Sequence, residues 1–334
     1  MAGLAALFDK DVVRSYRTQI RQPEVSPLFN SQAFVTDPDL SNALAAKSMS
    51  FGFGFLEPLD TNVEPNYSNT IYNDVAEPRS GDYGEQMGRK AFINESFGVA
   101  KLERQLSDAD PLLQFAQFES DWTLANMNHR AQATLVGIQA DDTANHAGSL
   151  TTDVSGKTGD AALFTTDTFL QAVQGMPQDI ERRGIIYMHN DKYYDLVRQK
   201  LVLKEFASDG VTPIETYNGL AIIRSNRMTK FGAKYRTMII GAGAFGYAYG
   251  DGVDNLATDS SESRGNGGGF STIHLRKNVI LHPQGYSFTA NAADLSGGTK
   301  NESLFANWAD LQKADYWSRI AKREQIAIGF LITK

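Results

Sequence analysis

No cysteine occurs anywhere in the 334 residues. That absence removes disulfide staples, thiolate nucleophiles and cysteine-based zinc or iron–sulfur centres. Long apolar runs are missing as well: no window approaches 18 consecutive apolar residues, so nothing reads as a membrane span. The opening Met1 to Leu7 has neither a charged n-region nor a long apolar stretch, and does not read as a secretory signal. A reducing, aqueous compartment follows, and the Asn-x-Ser triplets at Asn66, Asn94 and Asn301 then carry no meaning as glycosylation sites. A basic surplus is lacking too. Lys and Arg number 32 against 39 Asp and Glu, the formal net charge is -7, and the basic residues are scattered singly. A protein that grips nucleic acid neutralises phosphates with a basic face. This chain can at most enclose DNA without sequence-specific binding.

Hydrophobic residues make up 42% and charged residues 21%, the ordinary composition of a folded protein. The length exceeds what one core usually supports, so two modules are expected. No internal repeat is present. Leu4, Leu7, Phe8, Val12 and Tyr16 predict an amphipathic helix over residues 2–21, ended by Pro23 and Pro27, with an irregular arm to about Gly54. Residues 56–100 are poor in large apolar side chains and broken by Pro58, Pro65, Pro78, Gly81, Gly84 and Gly88. Local alternation at Asn69–Val75 and Lys90–Phe97 predicts a two-stranded excursion. Arms of about 20 residues reach roughly 60 Å. An isolated hairpin is marginally stable, so this one is either a mobile loop or lies on a neighbouring subunit. Asp110 as N-cap and Pro111 at the first position then open a helix running to about Ala140, ended by Gly137 and Asp141–Asp142. A polar linker, Thr143–Gly159, precedes an alternation of helices (167–176, 191–203) and strands (184–188, 216–224, 235–241). A Ser/Gly loop at 259–269, strands at 270–281 and 285–289, a segment 303–314 and a terminal strand 325–333 complete the reading.

Motifs that would carry chemistry fail on context. Gly241-Ala-Gly243-Ala-Phe-Gly246 is a literal GxGxxG, but Tyr247-Ala-Tyr249-Gly250-Asp-Gly252 is a poor helix start, and a pyrophosphate needs a helix N-terminus there. A glycine-rich strand and turn is the plainer reading. Ser155-Gly156-Lys157-Thr158 resembles the end of a phosphate loop, yet Thr151 stands where that loop requires Gly, which leaves a linker. Of the histidines His129, His146, His189, His274 and His282, none forms HxxxH or HExxH. His189 reads as a helix cap and His129 as a hydrogen-bonded, partly buried residue. The carboxylates Asp141–Asp142 and Glu302 near Asp310 read as solvated faces or caps. No catalytic, cofactor-binding or metal-ligating residue is assigned, and no enzyme activity is expected.

The order of parts is more telling than any motif. Ile185-Ile186-Tyr187-Met188-His189-Asn190 with Tyr193 and Leu196, then Thr216-Tyr217-Asn218-Gly219-Leu220-Ala221-Ile222-Ile223, then Lys234–Gly246, and finally Ala306-Asn307-Trp308 with Arg323 and Ile326–Ile328, resemble passages of one family. That family is the major capsid proteins of tailed double-stranded-DNA bacteriophages, with the Hong Kong 97-type fold. The resemblance covers roughly residues 40–334. It implies an α+β subunit with an N-terminal arm (1–55), an extended loop (56–100), and a peripheral domain (101–162 and 268–334) containing a spine helix at about 110–140. An axial domain (163–267) would complete it. It implies self-assembly as hexamers and pentamers into an icosahedral head shell, located in the virion and in host cytoplasm during assembly. A separate scaffolding protein, a portal protein and a decoration protein are the implied partners, because 50-odd leading residues are too few for a fused scaffold domain. Some members cross-link Lys to Asn; Lys90 lies in the extended loop, and no bond is predicted for it. Two alternatives stay open: an encapsulin-like bacterial nanocompartment shell, which shares the fold, and a nucleotide-dependent enzyme using Gly241–Gly246.

Overall fold

The computed structural model describes residues 27–57, 63–75, 78, 83–106, 115, 119–177, 184–206, 213–226, 228, 234–266, 268–295 and 304–334. The helix expected over 2–21 and the cap expected at Asp110–Pro111 lie outside these residues. In chain order come β1 (Phe34–Thr36), α1 (Pro38–Ala45), β2 (Ser50–Leu56), β3 (Tyr83–Arg89), β4 (Ala91–Ala100) and α2 (Lys101–Leu106). The longest helix, α3 (Glu119–Asn145), is followed by β5 (Thr151–Asp153), α4 (Thr166–Val173), β6 (Ile185–His189) and α5 (Asn190–Arg198). Then come β7 (Leu203–Phe206), β8 (Pro213–Tyr217), β9 (Leu220–Ser225), β10 (Tyr235–Ile240), β11 (Phe245–Asp251) and β12 (Ala257–Ser261). The chain closes with β13 (Phe270–Pro283), β14 (Tyr286–Phe288), α6 (Trp308–Leu311), β15 (Trp317–Arg319) and β16 (Ile328–Thr333).

One mixed sheet runs in the order β5-β16-β10-β6-β9-β8-β7. Its central strands carry apolar runs, Ile185–Met188 in β6 and Met238–Ile240 in β10, because both faces are covered there. Ile185, Tyr187, Met238, Ile240, Ile328 and Phe330 point to the side of α3, while Ile186, Met188, Ile239 and Leu331 pack on the side of α4 and α5. The expected strand over 216–224 is two strands, β8 and β9, joined by a tight turn at Asn218 and Gly219, both with positive φ (51 and 81°). Asn-Gly is the pair that such a turn demands. The expected helix over 191–203 stops at Arg198, and the residues after it supply edge strand β7.

A second sheet is organised by β13. One of its edges pairs with β4 over Phe270–Val279; the other pairs with β12 over Phe270–His274 and with β11 over Lys277–Pro283. Parallel β1 adds to β11. Part of the expected loop over 259–269 is therefore ordered strand. At the middle of β13 the Lys277 ammonium forms ion pairs with Glu119, on the first turn of α3, and with Asp251 of β11. Burial disfavours its charge, but these partners outweigh that and hold the ammonium above the ordinary lysine value. Asn255 adds a hydrogen bond from Nδ2 to Glu119 (3.0 Å). The network fixes where the long helix starts against the sheet.

The helix α3 spans roughly 40 Å. It does not end at Gly137: it runs on to Asn145, and Gly137 lies inside it, against the Leu311 carbonyl and the Trp317 indole. Nor are Asp141 and Asp142 solvated; their exposures are 1% and 0%. The Asp142 carboxylate accepts hydrogen bonds from the Leu150 backbone N–H (2.9 and 3.0 Å) and from the Ser149 and Thr151 hydroxyls (both 3.0 Å). It thereby ties the helix end to the turn that leads into β5. Asp142→Leu strips acceptors from these buried donors, and each orphaned donor costs about 1–3 kcal/mol. The variant is expected to unfold at a distinctly lower urea concentration than Asp142→Asn, which keeps one oxygen; equal midpoints would contradict this role.

Candidate functional site

The excursion expected over 56–100 exists with different boundaries. β2 pairs with β3, Phe51 opposite Gly88, Phe53 opposite Gln86 and Phe55 opposite Gly84. Residues 91–100 are not an arm of it: they form β4 and lie along β13 in the body. The alternation expected at Asn69–Val75 is not a strand. There the Asn69 side chain accepts from the Ile71 N–H (2.8 Å), and the Asp74 N–H donates to the Ile71 carbonyl (3.2 Å), which makes a local turn.

Phenylalanine over glycine is the organising pattern of the hairpin's base. The rings of Phe55 and Phe51 lie so close over Gly84 and Gly88 that a Cβ there would stand 2.4 and 2.3 Å from ring carbons. An aromatic ring covering a cross-strand glycine replaces the packing the missing side chain cannot give. Phe51 also meets the His282 ring edge-on, at 5.6 Å between centroids. Polar contacts finish the docking. Gln86 Nε2 donates to the Pro283 carbonyl (2.8 Å), and the Met87 N–H donates to Ser287 Oγ (3.0 Å). The signal was present as Phe51-Gly-Phe53-Gly-Phe55, but ending the arm at Gly54 divided this strand and hid it.

Lys90, at the foot of the hairpin, is 1% exposed and donates to the carbonyls of Ala46 (2.5 Å) and Leu44 (3.4 Å). These are carbonyls at the C-terminal end of α1, where a cation is favoured. Burial lowers its pKa below the ordinary lysine value. Lys90 is thus a cap on α1.

Among the described residues beyond its base, Leu56, Val63, Tyr67, Ile71, Tyr72, Val75 and Tyr83 are all exposed, Tyr72 at 98%. Exposed apolar side chains concentrated in one stretch of chain mark an interaction surface. Burying one such side chain is worth about 1.5–3 kcal/mol, so the group offers on the order of 10 kcal/mol gross to whatever covers it. Association and side-chain ordering then subtract from that.

The residues singled out for chemistry do not converge. Gly241–Gly246 is the turn between β10 and β11, followed by a strand where a dinucleotide site needs a helix. Gly243 holds φ of +70°, and Gly246 lets Leu40 of α1 approach β11. Gly243→Val forces a β-branched residue into a left-handed conformation, a strain of about 1–3 kcal/mol. A lower unfolding midpoint is the expected outcome, and calorimetry with NAD should be silent for both variant and parent. Ser155–Thr158 does follow a strand, β5, contrary to its reading as a linker; but a 3-10 turn at Gly159–Ala162 succeeds it, and Ser155 is spent on Asp153. His189 caps α5, its Nδ1 accepting from the Asp191 N–H (3.1 Å), and Asp310 caps α6 with Asn307. His129 lies against Trp308 (4.5 Å), His146 near Asp141 (3.5 Å) and His274 beside Ser96 (2.8 Å). Among the described residues no three His, Asp or Glu gather as a metal site, and no helix is long and apolar enough to cross a membrane.

Comparison with known proteins agrees with this picture. No family model matches the chain. The major capsid protein of Bacillus phage SPP1 is 26% identical over 317 residues, spanning 91% of this chain and 90% of that protein. A solved structure from Mycobacterium phage Bobi superposes with a TM-score of 0.56 at 11% identity, covering 99% of this chain and 97% of the other. The capsid of Ralstonia phage GP4 gives 0.51 at 13% identity, covering 80% and 92%. At such identities the structural likeness establishes the fold alone. The fold is α+β and of the Hong Kong 97 type.

Proposed function

We propose that this chain is the major capsid protein of a tailed bacteriophage, a structural and not an enzymatic subunit that closes into an icosahedral shell around double-stranded DNA. The observation that carries the reading is the hairpin: its base is built into the body, and its outer part displays apolar side chains that only another surface can cover. A second copy of the same chain is that surface. In a closed shell each copy both gives and receives the contact, so one interface repeats until it closes. Subunits group as hexamers and pentamers, and the protein resides in the virion after assembly in host cytoplasm.

On this reading residues 56–100 act as the extended loop, with its working part between β2 and β3. Residues 101–162 and 268–334 form the peripheral domain around α3 and β13, and 163–267 the axial domain around the symmetry axes. A scaffolding protein during assembly, a portal protein at one vertex and a decoration protein on the outside are the further partners. The net charge of -7 fits a wall that must hold DNA without adhering to it. Electron microscopy of the purified recombinant protein tests the proposal directly. Closed shells or isolated capsomers are expected, and a compact monomer at every concentration would sink it.

A further inference from the structure

Where the hairpin base, α3 and the end of β13 meet, a small and largely enclosed cavity is lined by Arg89, Arg130, Thr134, His282, Phe288 and Trp317. It has room at its centre for about one water-sized sphere. Two of its walls are cationic, and among the described residues no carboxylate lines it. Arg130 is buried, and its guanidinium makes one hydrogen bond, from Nη1 to the Ala306 carbonyl (3.0 Å); its Nε–H has no partner. Arg89, half-buried, spends its hydrogen bonds on carbonyls too, those of Leu304 (3.2 and 2.9 Å) and Ala290 (3.2 Å). Neither arginine forms an ion pair among the described residues. The third polar wall is His282, 6% exposed, whose Nε2 also lacks a partner and whose burial pulls its pKa down to about 4, leaving the ring neutral.

Buried charges in proteins are paired, because desolvating an ion costs several kcal/mol unless a counter-charge or a full set of hydrogen bonds offsets it. A lysine or histidine can escape by losing its proton. Arginine cannot. Burial does pull Arg130 down, to about 10, which still leaves it charged at neutral pH. The cavity is thus a positive, partly dry chamber with an unspent donor on one wall and an unspent ring nitrogen on another. We propose that it is a binding site for a small inorganic anion of about the size of chloride, held by the Arg130 Nε–H within the field of Arg89. Its volume leaves out phosphate and any carboxylate-bearing side chain. The site lies within one copy and does not depend on shell formation.

The test exchanges sodium gluconate for sodium chloride at constant ionic strength with the purified full-length protein. The thermal midpoint should rise saturably with chloride, and the chloride-35 resonance should broaden saturably. Arg130→Gln should reduce that broadening at least tenfold, and Arg89→Gln should weaken it if the first variant does not fold. Equal midpoints in both salts together with no saturable broadening in the parent protein would overturn the proposal and leave a water as the occupant. Undiminished broadening in a folded Arg130→Gln would overturn it equally, by placing the anion elsewhere.

Discussion

Replacing residues 57–82 by Asn-Gly is expected to abolish closed shells while leaving a folded, soluble subunit. Leu56 and Tyr83 stand opposite each other at the end of the β2–β3 ladder, so a two-residue turn can join them directly. Everything that holds the base then survives: Phe51 over Gly88, Gln86 on Pro283 and Lys90 on the end of α1. What disappears is most of the exposed apolar group, and with it on the order of 5–10 kcal/mol of contact per copy. Since every interface in a closed shell repeats, a loss of that size at each one removes the particle altogether. Sedimentation and electron microscopy read the result. Normal shells from this variant would show that the hairpin is not the assembly contact. The boundaries matter, because a deletion reaching into 83–95 removes β3 and part of β4, including Ala91, which is buried in the core, and would destroy the fold for a different reason.

Gly137→Ala should cost about 3 kcal/mol although alanine is the better helix former. In an exposed helix the change gains ~1 kcal/mol. Here the added Cβ would stand 2.0 Å from the Leu311 carbonyl oxygen and 2.5 Å from Trp317 Nε1. These two atoms are themselves hydrogen-bonded, at 2.8 Å, so the methyl group strikes a carbonyl and an indole that fix each other. Neither is a flexible side-chain end. Overpacking of this kind costs about 1–3 kcal/mol, and breaking the buried hydrogen bond adds to it. Urea denaturation followed by tryptophan fluorescence would show an earlier transition. A more stable Gly137→Ala would mean that the segment carrying Leu311 and Trp317 does not lie on this helix.

Much of the architecture was legible because burial on both faces leaves an unbroken apolar signature. Ile185–Met188, Met238–Ile240 and Phe330–Ile332 mark their strands in this way. The failures have causes as well. Gly137 looks like a stop signal because glycine is costly inside a helix, and Asp141–Asp142 look like a solvated end although acidic residues oppose the dipole there. The groups that make them tolerable, Leu311, Trp317 and Leu150, are brought there only by the tertiary fold. Asn218-Gly219 was readable as a turn and was absorbed into one long strand. The hairpin's base went unseen because glycine suppresses a strand reading, and its compensation, a ring from the opposite strand, lies far off in the chain (Phe51 over Gly88). The cationic cavity left no mark at all: Arg89, Arg130 and His282 are spread across the sequence, and only the lack of a carboxylate among the described residues lining it makes them notable.

The arrangement of β13 has a mechanical consequence. Its 14 residues run past three partner strands, antiparallel to each, so a pull along its length loads many backbone hydrogen bonds side by side and not one after another. Such a strand resists shear until the whole row fails together. Force applied by tightly coiled polymer on the inside of a vessel would thus be met by a tie rod that yields abruptly, and optical-tweezer stretching between Ala100, at one end of the β4–β13 ladder, and Pro283, at the far end of β13, should record a single high rupture peak.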